Sequence, residues 1–149
     1  MPNVYDVASY FLSKSKPNTP WAITPLKLQK LVYYAQGWHL ALRDKSLFKE
    51  DLEAWLHGPV VPDLYQEYKH FGYLTIKPEI FTNTNKDGKK IFSNKQLEVL
   101  DSVWETYGQY DGKFLEELTH QEDPWLNTTR NQIIPNHVIK TYFKKLINA

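Results

Sequence analysis

The stretch WAITPLKLQKLVYYAQGWHLALR, positions 21–43, sets the tightest limit on how this chain folds. Leu28, Leu31, Ala35, Trp38 and Leu42 repeat at helical spacing along one stripe, and Leu26, Tyr33, Gly37 and Leu40 carry apolar character onto other faces. A helix that is apolar on most sides belongs in the centre of a fold, with neighbours packed round it. Its most apolar run, LVYYAQGWHLAL, contains Gln36 and His39 and falls short of the ~20 residues that a membrane span needs. The start is well marked: Thr24 is a capping residue, Pro25 suits the first helical position, and Ile23 is placed to staple against Leu28. Gly37 inside such a helix costs about 1 kcal/mol relative to Ala, so it predicts the close approach of another element.

The remaining elements are read as neighbours of this helix. Val4, Val7, Ala8 and Phe11 predict a first helix over residues 4–14, ended by the KSKPNTP loop. An extended segment is expected near Glu53–Leu56. Gly58-Pro59 then reads as a tight turn that buries Val60 and Val61 beside Trp55 and leads into a helix running from Pro62 or Asp63 to Gly72. Residues 73–92 are the least helical, and Lys86-Asp87-Gly88-Lys89 predicts a small hairpin. Ser93 with Gln96 is a capping box for a fourth helix striped by Leu97, Leu100, Trp104 and Tyr107. Asp111 opens a fifth helix that stops at Pro124, and Pro135 opens the last, with Val138, Ile139, Tyr142, Phe143 and Leu146 on one face. The expectation is a mainly α fold: one compact domain over residues 1–149, with about six helices round the central one and a small β element within residues 53–92. A chain of this length buries about 68–70% of its unfolded surface, enough for a substantial core.

Charge and composition exclude several functions. Lys and Arg number 18 against 17 Asp and Glu, a net charge of +1, which gives no field towards DNA or anionic lipid. Only Arg43 and Arg130 carry the forked guanidinium that reads bases or clamps phosphate. The absence of cysteine removes disulfides, thiolate metal sites and cysteine nucleophiles, and fits a cytoplasmic location. The opening MPNVYDVASYFLSKSK lacks the pattern of a signal peptide. None of the common phosphate-loop, dinucleotide, serine-hydrolase or zinc-protease motifs occurs, so no cofactor, metal or catalytic set is expected.

The histidines, His39, His57, His70, His120 and His137, are scattered. His120 with Asp123 has the spacing of a helical metal pair, but without a third ligand it reads as a helix end and a turn. His57 reads either as a general base or, with no nucleophile nearby, as a brace on a neighbouring carbonyl. Lys140, Lys144 and Lys145 suit a helix C-terminus through the helix dipole alone. The aromatic load remains. Trp38 and Trp104 lie in helix stripes, whereas Trp55 and Trp125 sit beside turns, where such side chains often anchor protein interfaces.

The order of motifs goes further. TPLKLQKLVYYAQGWHLAL, LFKEDLEAWLHGPVVPDLYQEYKHFG, LEVLDSVWETYG, ELTHQEDPW and IPNHVIKTYF together resemble the Panacea (SocA-like, also called GepA-like) antitoxin family over roughly residues 4–146. The signatures are Leu28-Gln29-Lys30-Leu31 with Tyr34, Ala54-Trp55 through Gly58-Pro59-Val60, and Leu118-Thr119-His120 with Pro124-Trp125. The segment IKPEIFTNTNKDGKKIFS departs from the pattern, being longer and more β-like. The resemblance implies a non-enzymatic antitoxin that neutralises a toxin encoded beside it by direct protein contact. Some members occur in prophages and some link their toxin to proteolysis, which adds a host protease to the cognate toxin as an implied partner. Trp55, His57, Tyr65 and Trp125 are the side chains expected to touch the toxin. Two other readings stay open: a phage-encoded or transcriptional regulator that sets its lysine-rich last helix on DNA or binds a host protein, and a small hydrolase built on His57 or His120.

Overall fold

The computed structural model describes residues 1–149. Its elements are α1 (Val4–Lys14), α2 (Pro25–Arg43), β1 (Leu52–Trp55), β2 (Gly58–Val60), α3 (Pro62–Tyr68), a 3-10 turn (Lys69–Phe71), α4 (Asn94–Tyr107), α5 (Gly112–Thr119), α6 (Asp123–Leu126), β3 (Ile133–Ile134) and α7 (Asn136–Ile147). The fold is mainly helical, and α2 is its axis: α1, α3, α4, α5, α7 and β2 all pack against it. Thr24 caps α2 by accepting from the Lys27 N–H, and Pro25 opens it. Leu28 and Leu31 are buried in a continuous core with Tyr33, Tyr34, Phe11, Leu100, Leu115 and Phe143. Gly37 has the close neighbour that its position predicts, since a Cβ there would collide with the Phe143 ring of α7.

Helix starts follow local chemistry. Asn3 with Asp6 and Ser93 with Gln96 form capping boxes on α1 and α4, and Asp111 accepts from the Phe114 N–H at the start of α5. Replacing Ser93 by Ala should lower stability by about 1 kcal/mol, read as a small drop in the denaturation midpoint, because the Gln96 N–H at the head of α4 loses its partner.

The polar residues of α2 are buried as well. Lys27, Gln29, Lys30, Gln36 and His39 have no solvent-facing side on which to lie, and each binds the main chain of a non-helical segment or a helix end. Lys27 Nζ donates to the carbonyls of Pro20, Ala22 and Gly108. Gln29 accepts from the Val61 N–H at 2.9 Å and donates to its carbonyl at 3.3 Å. Lys30 Nζ donates to the Pro59 carbonyl at 2.9 Å. Gln36 accepts from the Leu47 N–H and donates to the Phe48 carbonyl, and His39 Nδ1 donates to the Lys45 carbonyl. The central helix is thus also a clamp that fixes the irregular segments wrapped round it.

The structure corrects several details. Gly58-Pro59-Val60 is not a turn but strand β2, antiparallel to β1 with Trp55 opposite Gly58, so the tight turn is Leu56-His57. The β element draws its third strand from Ile133–Ile134, which pairs with Leu52 and Glu53 on the far edge of β1. No strand forms between residues 73 and 92. The Asp87-Gly88 turn is present, with Gly88 at φ 77°, but the Asn83 side chain bonds both the N–H and the carbonyl of Phe92 and closes the loop without a ladder. Pro124 does not merely stop a helix: α5 ends at Thr119, and Pro124 opens the one-turn α6.

Candidate functional site

The three stretches Leu28–Tyr34, Ala54–Val60 and Leu118–Trp125 meet at the β1–β2 hairpin. Lys30 projects from α2 beneath β2, fully buried, and bonds the Pro59 carbonyl. Burial pushes its amine down to about 7, partly opposed by the carboxylate of Glu116 on α5. Gly58, at φ 104°, leaves the space that a side chain would need already filled by Lys30 and the buried Thr119. Val60 is buried beside them.

The tip is held from α5 and α6. His57 Nδ1 lies 3.1 Å from Glu116 Oε1, and Lys113 reaches the same carboxylate at 3.7 Å. His57 therefore does not brace a carbonyl, as its position beside Gly58 had suggested. That role falls to His120, whose Nε2 donates to the Leu56 carbonyl at 3.1 Å. His120 stacks on Trp125 at 4.1 Å, Trp125 Nε1 donates to the Trp55 carbonyl at 2.7 Å, and the Arg130 guanidinium lies 3.6 Å over the Trp125 ring. Pro124 is buried at the head of α6. Above this support, Trp55 packs edge-on against Tyr65 of α3 at 5.3 Å, and Leu56 stands 72% exposed at the tip. Trp55, His57, Tyr65 and Trp125 are therefore brought to one region. Trp125 is largely its support, and Trp55, His57 and Tyr65 its outward side.

A second polar cluster lies deeper. Glu122, just before α6, accepts from the hydroxyls of Tyr33 and Tyr34 at 2.9 and 3.0 Å. Burial raises its carboxyl to about 7 against the opposing effect of these two hydrogen bonds. Tyr34 stacks on Tyr107 at 3.9 Å, and Tyr107 accepts from Trp38 Nε1, so the cluster ties α6 to α2 and α4.

Glu116, Glu122 and Arg130 are absent from the sequence expectations. Each partner set is assembled from separate helices and loops, so no local spacing announces it. One signal was available: a helix apolar on most sides leaves Lys30 little outlet to solvent, which implies a buried amine in need of an acceptor.

The lysines of α7 are occupied. Lys140 and Lys144 both pair with Asp44 at 3.0 and 3.1 Å, and Lys145 pairs with Asp123 at 2.9 Å. No group of three or more His, Asp or Glu side chains is placed to hold a metal ion, and no helix is long and apolar enough to cross a membrane.

Fold and site together define a helical scaffold that clamps a short hairpin from below and presents its outer side chains. Residues 28–126, about two thirds of the 149-residue chain, match the family model described as Antitoxin SocA-like, Panacea domain, and the chain belongs to that family. No curated protein and no solved structure matches it significantly.

Proposed function

We propose that this protein is the antitoxin of a toxin–antitoxin pair and neutralises the toxin encoded beside it by stoichiometric binding through the β1–β2 hairpin and α3. The observation that carries this reading is the convergence of the family's motif stretches under one exposed aromatic surface. A hairpin clamped by Lys30, His120 and Trp125 arrives pre-ordered, so little conformational entropy is lost on docking. The regulator reading is disfavoured by the net charge of +1 and by the α7 lysines, each of which already has a carboxylate partner in Asp44 or Asp123.

Co-expression with the neighbouring gene tests the proposal. The protein should restore growth and co-purify with that gene's product. Ala substitutions of Trp55, His57, Tyr65 and Trp125 that remain folded then test the surface. A true anchor loses 2 kcal/mol or more, about thirtyfold in affinity. Wild-type binding by all four variants removes the surface assignment, and failure of the native protein to rescue removes the antitoxin role.

A further inference from the structure

The outer face of β1 continues onto α3 and the first turn of α1, and its charge is one-sided. Residues 50–68 hold Glu50, Asp51, Glu53, Asp63 and Glu67 but no Lys or Arg, in a chain with 18 such residues. Asp44, Glu98, Glu116, Glu117 and Asp123 pair with bases elsewhere in the chain, whereas Glu50, Asp51, Glu53, Asp63 and Glu67 pair with none and share a stretch that holds no Lys or Arg. Aromatic and aliphatic side chains run through the same face. Trp55 packs edge-on against Tyr65 and donates to Glu53 Oε1 at 2.9 Å. Tyr65 is 40% exposed, and Tyr5 of α1 is 38% exposed. Glu50 accepts from the Val4 N–H at 3.2 Å, which ties α1 to the segment before β1. The Tyr5 hydroxyl is raised by burial first and then by Asp63, Glu67 and Glu50, so carboxylates from two segments converge on that ring. Ile133, opposite Glu53 on β3, extends the apolar strip and is half exposed.

Exposed rings bordered by unpaired carboxylates match a surface of opposite charge. Aromatics supply the buried area, and the carboxylates pair with cationic side chains that would otherwise be stranded on desolvation. Building on the proposed antitoxin role, we infer that the face formed by Tyr5, Trp55 and Tyr65 with Glu53, Asp63 and Glu67 docks a lysine- and arginine-rich surface of the toxin.

The test uses the full chain and the purified product of the neighbouring gene. Association is followed by biolayer interferometry at 50 and 300 mM salt, beside growth rescue. Asp63→Lys with Glu67→Lys reverses the charge at two exposed positions. Asp63→Asn with Glu67→Gln removes it while keeping shape, should the reversal disturb α3. Reversal of Asp101 and Glu105 on α4 is the distant control. The expected results are a fall in wild-type association rate of tenfold or more at the higher salt, and a similar fall for both Asp63/Glu67 variants at low salt, with the control unaffected. Wild-type rescue and tight binding that ignore both salt and these substitutions overturn the acidic-face assignment and leave the antitoxin role standing. An absence of wild-type binding and rescue overturns both.

Discussion

Gly58→Val should cost the fold about 3–5 kcal/mol, whereas His57→Ala next to it should cost about 1 kcal/mol or less. At φ 104° a β-branched residue pays about 1–3 kcal/mol of backbone strain. The new side chain must also displace Thr119 Oγ1 and Lys30 Cε, which lie 2.7 and 2.8 Å from the position of the first added carbon. Overpacking of that kind adds about 1–3 kcal/mol. Neither neighbour yields freely, because Lys30 is held by the Pro59 carbonyl and Thr119 by the Glu116 carbonyl. His57, by contrast, has a mostly exposed side chain, and Glu116 keeps Lys113 as a partner when His57 is removed. Urea denaturation of the two variants checks the ordering. A Gly58→Val protein as stable as wild type would mean that the hairpin is not seated on Lys30 and Thr119 at all.

The second large effect is on pH dependence. Between about 4.5 and 7 native Glu122 keeps a proton that the unfolded chain has lost, so stability falls as pH rises through this window. Between about 7 and 10.5 the unfolded chain keeps a proton on Lys30 that the native amine has released, so stability rises again. Lys27, lowered to about 8 by burial, acts in the same direction. Above about 10 the buried Tyr33 and Tyr34 hold protons that unfolded tyrosine gives up, and stability turns down. The profile should have a trough near pH 7 and a maximum on its alkaline side, with the alkaline flank the larger because two buried lysines act in it and one carboxyl in the other. Glu122→Gln should flatten the acid flank, and Lys30→Met the alkaline one. Denaturation midpoints from pH 4 to 10 give the answer, and a single broad optimum at neutrality would show that burial does not dominate at either group.

Helix boundaries were legible where their chemistry is local. Thr24, the Ser93–Gln96 pair and Asp111 each satisfy donors within three residues, so reading them requires no knowledge of the fold. The sheet was not legible in the same way. β3 is only two residues, and its partners, Leu52 and Glu53, lie far away in the sequence. The Asp87-Gly88 turn formed as its residues demand, but a hairpin also needs two strands, and Asn83 satisfies Phe92 instead. Gly58 shows the same division. The need for glycine was visible from the residue itself, whereas its place in a strand depends on the pairing of Trp55 with Gly58 and on the amine below. At the site, Trp55 and Trp125 stood out because they flank turns. Glu116 and Glu122 did not, because one carboxylate among 17 acidic residues carries no mark of burial.

Four of the grips that hold the hairpin share one property: they take hold of peptide groups and ignore side-chain identity. Lys30 binds the carbonyl of Pro59, Gln29 both peptide groups of Val61, His120 the carbonyl of Leu56 and Trp125 that of Trp55. What residues 55 and 56 display to the outside is thereby uncoupled from what keeps them in place. Leu56 and Trp55 are open to replacement by almost any residue with an ordinary backbone, and the loop would keep its shape while its chemistry changed. A library randomised at positions 55 and 56, with Lys30, Gly58, His120 and Trp125 left intact, would therefore vary the displayed chemistry on an unaltered frame.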